Sequence, residues 1–461
     1  MTDTVAVIDL GKTTSKVTLV DTKNAQELAV IKQAAATDST TAYLSLDHNA
    51  IETFVVESLT QLSAQTRIDA ITVTTHGATV ALLDAEGKLA LPVLDYECVE
   101  VDETRSEYEE HRDCFSVTGS PALPGGLNVG AQLFWQQRQH SALFSNATTL
   151  LTWPQYWVFL MTGEKHNDLT SLGCHTDLYN PYQKRYSSLV ERMHWQALLP
   201  PTKRSGEYSG VLKLAVAAKA GLSENTPVHA GIHDSNASLV PHLISRTAPL
   251  SVVSTGTWFI VMAMGGLSRP LSESQDTLTN VNAFGDSVPS ARFMGGRERE
   301  LLNASSPVTE ADLDRILTHI DTAAVLMPSV VTRTGPYPDL QNLWLGQTPE
   351  DNTADKNCVV AFYLALMTHE CMTLIGSAGP TFVEGPLAQD TVFLRMLAVV
   401  SNRDVYYSES VTGTSVGAAM LIQKPLTPPP YTKVVVENDM RSKMQTYATR
   451  WHEALALHRA S

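Results

Sequence analysis

Cysteine is scarce and unpatterned. The five residues, Cys98, Cys114, Cys174, Cys358 and Cys371, are odd in number, scattered, and never in C-x-x-C spacing. That excludes a disulfide framework and a thiolate zinc site, and predicts reduced thiols. Positive charge is also short: 33 Lys plus Arg stand against 48 Asp plus Glu, a formal net charge of −15. Such a surface repels phosphate backbones and anionic lipid, so neither nucleic acid nor a membrane surface is an expected partner. Long apolar runs are missing too. The stretch from Val252 to Met264 is broken by Ser254, Thr255, Gly256 and Thr257, too short and too polar to cross a bilayer. The opening MTDTVAVIDLG has no basic region, long apolar run or cleavage pattern of a secretory leader, so a soluble, cytoplasmic protein is expected. What is present is ordinary globular material. Its 461 residues are 43 % hydrophobic and 18 % charged, which suits two or more domains of about 150 residues each.

Strands and helices interleave, the mark of an α/β protein. Thr4–Leu10 (TVAVIDL) reads as a buried strand, Gly11-Lys12-Thr13-Thr14-Ser15 as a polar turn, and Lys16–Asp21 as the returning strand of a hairpin. The pattern recurs at Leu250–Val253, the turn Ser254-Thr255-Gly256-Thr257, and Trp258–Met262. Two hairpins around Gly/Thr turns suggest two related domains. Further strands are expected at Ala70–Thr75, Pro227–Ile232, Thr381–Gly385 and Val405–Tyr407, and a second hairpin at Ala78–Leu83 and Leu89–Leu94. Gln132–Gln139, Trp153–Met161, Asp390–Val400 and Cys358–Gly376 read as helices, with Trp153, Tyr156 and Trp157 in the core. A boundary is expected between Asp234 and Pro249.

Ala6 to Thr13 ends like a P-loop, G-x-x-x-x-G-K-T, but Ala6 stands where the first Gly is required and the segment is an apolar strand, not a flexible loop. The hairpin suits phosphate in another way. Gly11 lets backbone approach closely, and Thr13, Thr14 and Ser15 offer hydroxyls and amides. Asp9, at the strand's end, suits a hydrated magnesium ion, which keeps several waters and takes few carboxylates. Thr255, Gly256 and Thr257 offer the second hairpin the same chemistry.

Asp9-Leu10-Gly11-Lys12-Thr13-Thr14-Ser15-Lys16 resembles the first phosphate motif of the FGGY carbohydrate kinases. The resemblance continues in the family's order. Thr75-His76-Gly77 with Leu82-Leu83-Asp84 is similar to the sugar-side strand and hairpin, and Thr162-Gly163-Glu164…Asp168…Ser171…Thr176-Asp177-Leu178-Tyr179-Asn180 to the following stretch. Gly231-Ile232-His233-Asp234-Ser235-Asn236-Ala237 resembles the segment of the catalytic aspartate. Ser254–Thr257 resembles the second phosphate motif, and Gly413…Val416-Gly417-Ala418-Ala419 the C-terminal helix near the nucleotide. Three departures stand out. The family's triple-Gly turn is Glu384-Gly385-Pro386, the Lys before Leu-x-Trp is Gln132, and the aromatic sugar-site element is Asp95-Tyr96-Glu97.

The resemblance implies an α/β, two-domain actin/hexokinase-like (ribonuclease H-like) fold with a cleft between the domains. A sugar-binding N-terminal domain would span 1–240 and a nucleotide-binding C-terminal domain 241–461. It implies ATP and Mg2+, with transfer of the γ-phosphoryl group to a sugar hydroxyl. Asp234 would be the base and Asp9 the metal-side carboxylate. Gly11, Lys12, Thr13, Thr14, Ser15, Thr255, Gly256, Thr257, Gly385 and Gly417 would meet the nucleotide, and His76, Gly77, Asp95, Tyr96, Glu97, His233 and Asp234 the sugar. Domain closure would exclude water. The sugar expected is a ketose, either a 6-deoxyketohexose such as L-fuculose or L-rhamnulose, or xylulose. A homodimer is left open. Rival readings are a catalytically weak nucleotide-binding regulator on the same fold, motivated by the altered Glu384–Pro386 turn, and an actin-like ATPase. For single residues the plain rivals are helix capping by Asp234, a strand-end role for His76, and solvated carboxylates at Asp95 and Glu97.

Overall fold

The computed structural model describes residues 2–408, 413–425 and 430–460. The chain divides into two compact units. One comprises Met1–Arg246, Thr279–Ser287 and Thr412–Pro429, and the other Thr247–Leu278, Val288–Val411 and Pro430–Ser461. The change of unit at Arg246/Thr247 lies close to the expected boundary at 240/241. The two returning segments were not expected: Gly417 sits in the first unit, not with the rest of the C-terminal half.

The first unit is built on a seven-stranded sheet. Thr4–Leu10 pairs antiparallel with Thr14–Asp21, which pairs antiparallel with Gln26–Ala34. On its other side Thr4–Leu10 runs parallel to Ala70–Thr75. The side chains of the first strand alternate as a strand's period of two requires. Ala6, Ile8 and Leu10 enter a core with Ile51, Phe54 and Trp157, whereas Val5 and Val7 pack with Ala237, Val240 and Val416. Asp9 therefore points to the second face, toward the helix Thr414–Met420. Trp153 and Tyr156 stack at 5.4 Å in the first core, with Trp157 edge-on to both, as their helical spacing predicted.

The second unit repeats the topology. Leu250–Thr255 pairs antiparallel with Phe259–Met264, which pairs antiparallel with Ser287–Phe293. On the other side Leu250–Thr255 is parallel to Thr381–Glu384, itself parallel to Val405–Tyr407. The same strand order in both units gives the repeated Gly/Thr hairpin a structural basis, although the first turn reads Gly11-Lys12-Thr13 and the second Thr255-Gly256-Thr257. Helix Ala354–Leu374 is long and apolar enough to cross a membrane on length and composition, a feature not anticipated from the sequence. Of its most apolar window 78 % is buried, packed with Phe393, Tyr447 and Trp451, so it serves as the unit's core helix.

One expected element differs. Val80–Leu83 takes Thr149–Thr152 as its antiparallel partner, and Leu89 meets it only through a single bridge to Leu83. The Asp84–Lys88 turn does close, through the Asp84 amide on the Lys88 carbonyl at 2.8 Å. Pro92 has no amide to extend the ladder, so the expected second hairpin stops short.

Gly417 has a packing role. A Cβ there would lie 1.9 Å from the Ala237 carbonyl oxygen, so only glycine lets the helix Thr414–Met420 rest against the segment that follows Asp234. Gly417→Ala should therefore lower unfolding free energy by about 1–3 kcal/mol, as overpacking against backbone does, read as a shifted midpoint in urea.

Candidate active site

Asp9 and Lys16 face each other across the first hairpin, and their register puts both side chains on one face of the sheet. Lys16 Nζ lies 3.1 Å from Asp9 Oδ2. The same oxygen accepts hydrogen bonds from Ser415 Oγ at 3.1 Å and from Thr414 Oγ1. Thr414 and Ser415 were not anticipated. Their only sequence signal is a place immediately after Gly413, at the start of a helix. The turn is closed by the Gly11 amide on the Thr14 carbonyl at 3.0 Å, leaving Thr13 and Thr14 exposed. Strand alternation turns Ser15 inward, where it is buried, so its hydroxyl is not at the tip with theirs.

Lys12 is not directed as expected. Its ammonium pairs with Asp95, lies 3.2 Å from Glu97, and sits 4.8 Å from the Tyr96 ring centroid. Asp95 is buried and also accepts the Glu97 amide at 2.8 Å, whereas the Glu97 side chain is 63 % exposed. Of the two carboxylates read as possibly solvated, only Glu97 is.

Asp234 follows the strand Ile232–His233, which runs parallel to Ala70–Thr75 and sets His233 beside Thr75. Asp234 Oδ1 accepts the Ser235 amide at 2.6 Å and lies 3.2 Å from His233 Nε2. His233 itself holds the N-cap position of the short helix Asp234–Ala237, so capping does not account for Asp234. Burial holds His233 neutral, down at about 4. The Asn236 amide donates to His233 Nδ1 at 3.0 Å, which places the ring proton on Nε2, toward Asp234. Burial first, and then the nearby Asp9 charge, push the Asp234 carboxyl up to about 6, although 28 % of its side chain remains accessible. Its raised proton affinity and open side are the features of a candidate functional carboxylate.

His76 is buried and neutral, its pKa driven down by desolvation. Its Nδ1 donates to the Gly77 carbonyl at 2.9 Å, so Nε2 keeps a lone pair. The ring is edge-on to Tyr96 at 5.4 Å and feels the charges of Asp234, Lys12 and Asp95. Gly77 faces the His233 ring: a Cβ would lie 2.9 Å from His233 Nε2. The first unit thus brings together His76, Gly77, Asp95, Tyr96, Glu97, His233 and Asp234. Gln132 braces this region from below, donating to the Ala78 carbonyl at 2.6 Å and to the Gly126 carbonyl.

In the second unit, Gly256 and Thr257 are exposed at the hairpin tip, but Thr255 is not available. Its hydroxyl donates to the Glu384 carbonyl at 2.6 Å and accepts the Leu387 amide at 3.0 Å, fastening the hairpin to the altered turn. Gly385 has φ +84°, and a Cβ there would meet the Thr255 carbonyl at 2.5 Å. Pro386 opens a short 3-10 helix, a position whose amide has no intrahelical partner in any residue, so its missing N–H costs little. The turn's departure from the family pattern, the motive for a regulator, is thereby accommodated. A cavity of about 620 Å³ adjoins it, lined by Gly256, Thr257, Gly296, Asn303, Asn352 and Pro386.

Two units of one topology, each presenting a Gly/Thr hairpin, make the two-domain actin/hexokinase-like fold. The chain belongs to the FGGY family of carbohydrate kinases: the family's N-terminal domain matches residues 4–241 and its carbohydrate kinase FGGY C-terminal domain residues 247–429. The crystal structure of a carbohydrate kinase from Novosphingobium aromaticivorans is 35 % identical, with a TM-score of 0.92 over 99 % of both chains. An L-fuculokinase of Salmonella typhi is 28 % identical over 282 residues, 57 % of this chain and 57 % of that protein. A rhamnulokinase of Halalkalibacterium halodurans is 27 % identical over 137 residues, 29 % and 28 % of the two chains. The chain thus aligns with little more than half the length of the L-fuculokinase.

Because Asp234 binds its proton more tightly folded than unfolded, its charge costs stability above about pH 6 and nothing below its ordinary value of 3.8. Asp234→Asn should therefore raise stability at pH 7.5 by roughly 1–2 kcal/mol, discounted for the open side. The gain should disappear by about pH 4, a difference readable in paired thermal melts.

Proposed function

We propose that this protein transfers the γ-phosphoryl group of ATP to a hydroxyl of a 6-deoxyketohexose, with L-fuculose and L-rhamnulose the first candidates. The observation that carries the reading is Asp234. It is a carboxylate raised to about 6, open on one side, and flanked by neutral His76 and the Asp95-Tyr96 turn. The names of the two curated relatives support the sugar class.

In this reading the sugar hydroxyl attacks the γ-phosphorus, its proton passes to Asp234, and ADP leaves with the electrons of the broken P–O bond. The transfer is loose, so alignment matters more than base strength. His76 Nε2 accepts a hydrogen bond from a second hydroxyl, Tyr96 offers a ring face, and His233 Nε2–H steadies the Asp234 carboxylate. In the first unit the exposed Thr13 and Thr14 hydroxyls suit phosphate oxygens; in the second the exposed Thr257 offers the same chemistry, the Gly256 amide being taken by the Trp258 carbonyl at 3.1 Å. The cavity beside Pro386 is of a size for the nucleoside.

The residues fit magnesium only through water. Asp9 Oδ2 is already taken by Lys16, Thr414 and Ser415, which leaves Oδ1 for a hydrated ion, and among the described residues no group of three or more His, Cys, Asp or Glu could hold a metal. Asp9 would hold that ion from its outer shell, and the ion, when bound, supplies neutralisation of phosphate charge. A cytoplasmic setting belongs to the same proposal, since ATP is the donor and all five thiols are free.

A panel of ketoses and polyols with ATP and magnesium, read by coupled ADP release, should show turnover greatest with a 6-deoxyketohexose. No sugar-stimulated turnover across the panel would contradict the reading. With the best acceptor, kcat/KM should fall about tenfold per unit below roughly pH 6, because a protonated Asp234 cannot accept the hydroxyl proton. Lys12→Met should raise KM for the sugar about tenfold, a loss of ~1.4 kcal/mol, with KM for ATP little changed. The opposite split would return Lys12 to the phosphates.

A further inference from the structure

Among the described residues, the carboxylate of Asp234 is held only by its own neighbours. Its partners are the Ser235 amide, the Ser235 hydroxyl at 3.3 Å and His233 Nε2, all within one residue of it. Where it sits is therefore inherited from the backbone just before it. Besides its strand pairing, that backbone is gripped by two side chains. Gln155 makes two hydrogen bonds to Gly231, its Nε2 donating to the Gly231 carbonyl at 3.0 Å and its Oε1 accepting the Gly231 amide at 3.2 Å. Thr170 Oγ1 accepts the His233 amide at 3.0 Å.

Both grips lead to one residue. Asp168 is wholly buried. Its Oδ1 accepts from Gln155 Nε2 at 3.1 Å and from Thr152 Oγ1 at 2.9 Å. Its Oδ2 accepts the Thr170 hydroxyl and the Ser171 amide at 2.9 Å. A carboxylate can only accept, so every hydrogen in this network has a fixed direction. Thr170 must give its hydrogen to Asp168 and so presents a lone pair to His233, while Gln155 must turn its amide nitrogen to Asp168 and its oxygen to the Gly231 amide. The ordinary role of such a residue is the helix cap on Ser171, which Asp168 does perform. The cap uses Oδ2 alone and leaves Oδ1 unexplained.

We infer that Asp168 is a positioning residue for phosphoryl transfer, setting the location of the Asp234 carboxylate through Gln155 and Thr170. The inference rests on the reading of Asp234 as proton acceptor. Asp168 touches neither sugar nor nucleotide in this role. It fixes the donor and acceptor pattern that holds Gly231 and His233, and a displacement of about 1 Å at the acceptor is enough to cost on the order of a hundredfold in rate. An Asn at position 168 keeps the size and an oxygen for the cap but turns an NH2 toward donors, so one grip must break.

The test measures kcat and both KM values for Asp168→Asn, Thr170→Val, Thr170→Ser and Asp234→Asn. ATP is saturating and the acceptor is L-fuculose, or L-rhamnulose where that is the better one, with melting temperature as the control for folding. Asp168→Asn should lose about a hundredfold in kcat and Thr170→Val about tenfold or more, both with KM for ATP unchanged. Thr170→Ser, which keeps the hydroxyl, should stay within about twofold of the parent. If Asp168→Asn does not fold, the Thr170 pair decides alone. Parental kcat in folded Asp168→Asn and Thr170→Val would overturn the inference, as would equal losses in Thr170→Val and Thr170→Ser. Turnover surviving in Asp234→Asn would instead overturn the base assignment.

Discussion

The site is governed by a shortage of positive charge beside the first sheet. Four carboxylates, Asp9, Asp95, Glu97 and Asp234, share this region with two hairpin lysines. Lys16 is committed to Asp9, and Lys12 to Asp95 and Glu97. Asp234 faces two histidines that burial keeps neutral, and it feels Asp9 as a like charge. A carboxylate without a countercharge seeks a proton, which is the property a phosphoryl-accepting hydroxyl needs from its neighbour. Burial, the placing of two lysines, and the neutrality of His76 and His233 produce that property together.

The hairpins show how a repeated topology can serve different tasks. In the first unit the Gly-x-Thr turn carries Lys12, which ties it to the Asp95–Glu97 turn. In the second unit Thr255 ties the hairpin to the Glu384–Leu387 turn through its own hydroxyl. Each hairpin is thus anchored to its neighbour by one polar side chain, leaving Thr13 and Thr14, or Gly256 and Thr257, exposed. A second buried acid stands apart from this chemistry. Glu298 is pushed up to about 7 by burial, yet it accepts the Val330 and Val331 amides and the Tyr363 hydroxyl, so its work is to hold a loop.

Much of this was legible in the chain because it depends on local pattern. The β-branched run Thr4–Leu10, the Gly/Thr turns and the Gly231–Ala237 segment announce their strands, turns and acid directly. What escaped were the pairings that depend on distance in sequence. Nothing near Asp9 signals that Thr414 and Ser415 cap its carboxylate, and nothing at Lys12 says its ammonium turns to Asp95, 83 positions on. Ser15 and Thr255 were grouped with their exposed neighbours because a turn motif does not say which residues the pleat turns inward. The motif alone reads Gly417 as a nucleotide contact and does not reveal that close helix packing on Ala237 also requires glycine there.

The central claim is that the folded chain raises the proton affinity of one aspartate. A 13C NMR titration of protein labelled at the aspartate side-chain carboxyl carbon, with Asp234→Asn to assign the resonance, measures it without substrate or turnover. The account predicts a midpoint near pH 6 for Asp234. A midpoint at or below the ordinary aspartate value of 3.8 would contradict it.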